Sequence, residues 1–169
     1  TVYVYYAALN YPHNADVART DPGDLQCGAA LATFKRDRFA SLETSEIDPG
    51  PCHVVTKPFT VQHSKLFLNA ATWMRGSIRV EALPRDWQPI EGFTKSQSRS
   101  LQGDALNHPV RWNANTDVNK LLGKEIRLKF HMTRARLHAM TLSNEDRKLG
   151  AVESESEYGK PADSTPTTN

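Results

Sequence analysis

Residues 76–83 read Gly-Ser-Ile-Arg-Val-Glu-Ala-Leu, and residues 125–131 read Glu-Ile-Arg-Leu-Lys-Phe-His. In the first, Ile78, Val80 and Ala82 alternate with Ser77, Arg79 and Glu81. In the second, Ile126, Leu128 and Phe130 alternate with Arg127, Lys129 and His131. A two-residue period puts apolar groups on one face of a strand and charged groups on the other, which no helix does. Both stretches are therefore predicted as strands of an antiparallel sheet with one buried and one solvated face.

The same alternation spreads outward. Leu66, Leu68 and Ala70 point to one side and Phe67 and Asn69 to the other, while Val110 and Trp112 flank Arg111. Further strands are predicted at 2–6, 28–34, 39–42, 53–59, 65–71, 109–113 and 135–142, separated by segments rich in Gly, Pro and Asn. The best helical stretch, Asp117 to Leu122, is barely one turn, capped by Thr116 or Asp117. Short strands at this spacing predict an all-β chain, an antiparallel β-sandwich or jelly roll. No internal repeat of fixed period occurs, which speaks against a complete propeller or a solenoid.

The 169 residues suit one ordinary domain and a tail. We divide them into an N-terminal strand over 1–11, a sandwich over 12–142 and a flexible acidic tail or linker over 143–169. Residues 1–142 carry 18 basic and 13 acidic side chains, whereas 143–169 carry 3 and 6. From Ala151 on, the largest aliphatic residue is Val, so this stretch cannot bury enough apolar surface to offset its ordering entropy. A net charge of +2 gives no basic stripe for nucleic acid, and no apolar run is long enough for a membrane helix. The chain opens at Thr1 without a Met or an apolar leader, and so reads as a processed chain or a piece of a longer one.

A series of motifs then points to a family. Leu66-Phe-Leu-Asn-Ala70, Gly76-Ser-Ile-Arg-Val-Glu81, Pro89-Ile-Glu-Gly-Phe93, Gly103-Asp104, Val110-Arg-Trp112 and Leu122 to Phe130 follow one another. Together they resemble the C-terminal β-sandwich module that follows the propeller in secreted glycosidase-like proteins akin to fructan- and sucrose-hydrolysing enzymes. Val2-Tyr-Val-Tyr-Tyr6 resembles that family's last propeller strand. Leu31 to Asp37, with Phe39-Ala-Ser-Leu42, resembles the motif that opens its sandwich. Two departures stand out: Arg38 replaces the Gly expected after Asp37, and Trp73-Met-Arg-Gly76 replaces a plain Gly-rich hairpin. The family's catalytic carboxylates lie in propeller blades, which this chain lacks. The resemblance thus implies a secreted, non-catalytic module that binds an oligo- or polysaccharide or braces an adjacent propeller-like domain. The alternatives are a structural or adhesion module contacting another protein and, less favoured, a jelly-roll polysaccharide lyase.

Candidate site residues follow from chemistry. Trp73 and Trp87 fall in turns at either end of strand 77–83, where an exposed ring can stack on a sugar's C–H face. About 23 Å of strand separates those turns, so a single platform cannot use both. Trp112 alternates with the core and is predicted to be buried. Asn69, Arg79, Arg111 and Arg127, with Glu81 and Lys129, would form a polar, mostly basic sheet face, whose guanidinium forks suit carboxylated or sulfated glycans. An ordinary solvated face with cross-strand ion pairs is the plainer account of the same residues. Asp104, His108 and Arg111 are the acid/base set a lyase would need.

No metal-ligand spacing, nucleophile elbow, phosphate loop or dinucleotide fingerprint occurs. No cofactor is expected beyond a structural calcium, for which the loop carboxylates Asp21, Asp24, Glu46 and Asp48 have the right chemistry. Cys27 and Cys52 are the only thiols. Pairing them fits the secreted family, whereas a reducing compartment would leave two buried thiols.

Overall fold

The computed structural model describes residues 1–10, 27–45 and 51–149. Eight strands account for most of them: β1 Val2–Leu9, β2 Cys27–Phe34, β3 Leu42–Glu43, β4 Cys52–Val55, β5 Phe59–Thr60, β6 Lys65–Leu83, β7 Asp104–Pro109 and β8 Glu125–Ser143. Every pairing between them is antiparallel, and the chain is all-β as the alternation requires. The sole helical element described is a 3₁₀ turn at Asn119–Leu121, within the stretch the sequence marks. Asp117 Oδ1 accepts the Asn119 N–H at 3.0 Å and so closes the start of that turn.

The backbone of the fold is the β6–β8 pair, two strands of 19 residues each. β7 lines the far edge of β6, and β5, β4 and β3 follow one another along the far edge of β8. The sequence splits each long strand in two; the structure joins the halves. Thr72 pairs with Ala135 and Ser77 with Thr133, so Trp73 to Gly76 face Arg134 alone. This bulge puts Arg75 (φ 63°) and Arg134 (φ 43°) in the left-handed region. It also brings the backbones so close that a Cβ on Gly76 would lie 2.2 Å from the Arg134 carbonyl oxygen. Because even-numbered residues of β6 point inward on both sides of the bulge, one core spans it.

That core contains Leu66, Leu68, Ile78, Val80, Ile126, Leu128, Phe130 and Met132 from the two long strands. Phe93, Leu101, Val110, Trp112 and Val118 from the loops, with Leu121 of the 3₁₀ turn, cover it. Trp112 is fully buried, as predicted, with Nε1–H donating to the Val80 carbonyl at 2.9 Å and its ring meeting Phe93 edge-on at 5.0 Å. Of the strand predicted at 109–113, only Pro109, the last residue of β7, and a single bridge from Trp112 to Ser98 are found.

Three residues assigned to the solvated face, Phe67, Asn69 and Glu81, are instead buried. Asn69 is covered because the 35–38 turn packs over it: Asn69 Nδ2 donates to Arg36 O at 2.9 Å, and Arg38 Nε donates to Asn69 Oδ1 at 2.8 Å. Arg38 also binds Asp104 and the Ala105 carbonyl. The tight turn needs no glycine at 38, because Asp37 takes the left-handed conformation (φ 58°) and the Arg38 N–H closes onto Lys35 O at 3.2 Å. Arg38 is thus the pin that fastens this turn to β6 and β7. Ser143 ends β8, and the chain then turns back so that the Lys148 and Leu149 carbonyls accept from Asn107.

Candidate functional site

β1 and β2 form a separate two-stranded ribbon, registered from Val2–Phe34 to Leu9–Cys27. Its sixteen residues, Val-Tyr-Val-Tyr-Tyr-Ala-Ala-Leu and Cys-Gly-Ala-Ala-Leu-Ala-Thr-Phe, include no charged side chain. One face carries Tyr3, Tyr5, Leu9 and Leu31, and the other carries Val4, Tyr6 and Phe34; all of these are exposed. Strands apolar on both faces belong inside layered structures, and an isolated two-stranded ribbon is marginal in water. Phe34 continues the apolar surface to Phe39, whose ring lies 5.0 Å away.

Both tryptophans are exposed, as expected, although Trp73 lies in the bulge of β6 and not in a turn, and each ring faces an arginine. Trp73 and Met74 project from the bulge at 44% and 81% exposure. Arg136 lies 5.4 Å from the Trp73 ring centre and is held there by a two-pronged bond to the Glu43 carboxylate at 2.8 and 2.9 Å. That bond and the nearby guanidinium charge keep the Glu43 carboxyl below its usual pKa. Trp87 closes the turn after β6, its N–H donating to Pro84 O at 3.2 Å, with φ at 65°. Arg127 lies 4.8 Å from its ring centre.

The expected basic face is only partly assembled. Arg79 stands opposite His131, Glu81 opposite Lys129 and Leu83 opposite Arg127, so Arg79, Glu81, Lys129 and Arg127 do share a face. Arg79, however, is half-buried and donates to the Ser98 carbonyl. Asn69 is engaged at both ends beneath the 35–38 turn, and Arg111 is exposed between the buried Val110 and Trp112, after β7. Sequence reasoning missed the centre of this face. Glu81 is buried because the 94–98 loop covers it: Oε1 accepts the Lys95 N–H at 3.2 Å, and Oε2 lies 3.1 Å from His131 Nε2. A carboxylate only accepts, so Nε2 carries the His131 proton. Burial lowers the His131 pKa, against the opposing pull of the Glu81 bond. β4 adds His53 beside it, with ring centres 6.5 Å apart.

No hydrogen bond or ion pair joins Asp104, His108 and Arg111, although the Asp104 charge opposes the burial that lowers the His108 pKa. His108 is buried with Nε2 3.2 Å from the Ala70 carbonyl, and Asp104 is bound by Arg38. The disulfide expected between Cys27 and Cys52 is not formed: both are exposed free thiols, and they open strands of different sheets. The proposed calcium carboxylates Asp21, Asp24, Glu46 and Asp48 lie outside the described residues. Among the described residues no group of three or more His, Cys, Asp or Glu side chains could hold a metal ion, and no helix is long and apolar enough to cross a membrane. Compared with protein-family models, curated proteins and solved structures, the chain finds no match.

Proposed function

We propose that this chain is a non-catalytic module that braces a neighbouring β-domain of a secreted, glycosidase-like protein. The observation that carries the proposal is the β1–β2 ribbon, uncharged along its whole length, with large apolar side chains exposed on both faces and, among the described residues, no third strand paired to it. A neighbouring sheet would pair with the ribbon and cover Tyr3, Tyr5 and Leu31, completing a layered structure that two strands do not complete alone. The motif resemblance supplies the kind of neighbour, a propeller whose last strand corresponds to β1, and it alone supports secretion. The test expresses the chain with and without its flanking coding sequence and follows amide exchange in residues 2–9 and 27–34. Protection gained in the longer chain, and lost again in Tyr5→Lys/Leu31→Glu, is expected; ribbon amides that remain unprotected in the longer chain refute the bracing role.

A second reading, sugar binding, is favoured by two exposed tryptophans, Trp73 in the β6 bulge and Trp87 on the turn after β6. Retardation in polysaccharide-containing native gels, weakened by Trp73→Ala or Trp87→Ala, would support it. Unretarded migration in every polysaccharide tried would reject it.

A further inference from the structure

We infer that the end of the main sheet, where the start of β5, the end of β6 and the start of β8 meet, is a subsite for a carboxylated sugar. This rests on the sugar-binding reading and adds the charge of the ligand and the place where it sits. Pro58, Arg85, Glu125, Ile126 and Arg127 line a cleft of about 250 Å³ there. That lies below the roughly 300–1,000 Å³ typical of drug-sized ligands, and so suits one sugar ring rather than a long segment of chain.

Three features suit a uronate. First, Arg85 and Arg127 both face the cleft, and among the described residues neither side chain has an ion-pair or hydrogen-bond partner. Two guanidinium forks against the single Glu125 carboxylate leave a net positive lining, and a fork matches a carboxylate in two-pronged geometry. Second, Arg127 is aligned in advance. Its guanidinium lies over the Trp87 ring, 4.8 Å from the centre. A guanidinium carries five N–H donors, more than a single aromatic face engages, so donors remain to bond a carboxylate. Third, Trp87 is 53% exposed, giving an adjoining sugar ring an aromatic surface beside the cleft.

The backbone adds an independent sign. Trp87 has φ at 65°, a conformation that disfavours bulky side chains. A glycine would sit there without strain, yet the position holds a large, half-exposed ring. Strain of this kind, where it persists, collects at ligand-binding positions. A purely structural Trp87 predicts that Trp87→Gly destabilises the fold; a binding Trp87 predicts that the fold is as stable or more so while binding is lost.

The test is affinity electrophoresis of the full chain in gels containing polygalacturonate, a neutral glucan or polyacrylate. Polygalacturonate is expected to retard the chain at least tenfold more strongly than the neutral glucan, with the effect falling as salt rises. Arg85→Gln and Trp87→Gly should each weaken that retardation about tenfold, with Trp87→Gly melting no lower than the parent and Trp73→Ala unchanged. Equal retardation by neutral glucan overturns the charge assignment and leaves the sugar-binding reading standing. Equal retardation by polyacrylate reduces the site to a cationic patch and overturns the subsite. Failure of all sugars overturns both.

Discussion

Replacing Gly76 by alanine tests the bulge on which the fold turns. The added Cβ would meet the Arg134 carbonyl oxygen at 2.2 Å and the Trp73 carbonyl oxygen at 2.8 Å, whereas ordinary contact begins near 3.4 Å. The Arg134 oxygen would have to retreat by about 1.2 Å, and both obstructing atoms are backbone, so no side-chain rotation relieves them. Overpacking costs about 1–3 kcal/mol, and a backbone obstruction belongs at the upper end. About 3 kcal/mol in a chain of this size lowers the melting temperature by about 6–12 °C. Two further alanines separate the causes. At Gly28 no atom lies within 4 Å of the new Cβ, so the change should stay within about 0.5 kcal/mol. At Gly103 the space is open but φ is +89°, which isolates a conformational cost of about 1–2 kcal/mol. Urea unfolding followed by tryptophan fluorescence measures all three. Gly76→Ala at or below the cost of Gly103→Ala would refute the close crossing of β6 and β8.

Other expectations are smaller in scope. Arg38→Gly, which restores the residue of the resembling motif, should cost about 2 kcal/mol because Asn69 and Asp104 lose their cationic partner; an unchanged urea midpoint would contradict the pinning role. Trp112→Phe removes the bond to the Val80 carbonyl and should cost about 1–3 kcal/mol by the same assay. Burial is the leading cause that lowers the pKa of His108, His131 and His138. Each therefore binds its proton more weakly folded than unfolded. Stability should be level above the usual histidine pKa of about 6.5 and decline as pH falls below it. A flat stability profile between pH 7 and 5 would contradict that sign. Tyr5→Lys with Leu31→Glu should reduce dye binding and self-association of the free chain and leave its melting temperature within a few degrees, since both side chains are already in water.

Residues 76–83 and 125–131 were readable because one face of each strand meets a core, and burial imposes a two-residue period that single residues reveal. The continuity of β6 was hidden by Trp73-Met-Arg-Gly76, which has the composition of a turn. The even-numbered parity shared by Leu66–Ala70 and Ile78–Ala82 was the available sign that one strand passes through. Asn69 and Glu81 were misplaced for a different reason. Each is polar at an outward position, and what covers it, the 35–38 turn or the 94–98 loop, comes from sequence about 14 to 33 residues away. Alternation reports a residue's own face, not what later folds across it. The Glu81–His131 contact and the pairing of Trp87 with Arg127 depend on register between β6 and β8, which no local pattern fixes. The ribbon was legible as strands, but its exposure on both faces required the pairing in three dimensions.

The central claim is that the β1–β2 ribbon is an incomplete layer waiting for a neighbour, attached to a sheet stable by itself. Residue-resolved hydrogen exchange on the free chain tests this most directly. The account predicts strong protection at 66–70, 78–82 and 126–132, with rapid exchange throughout 2–9 and 27–34. Ribbon amides as protected as those of β6 and β8 in the free chain would contradict it.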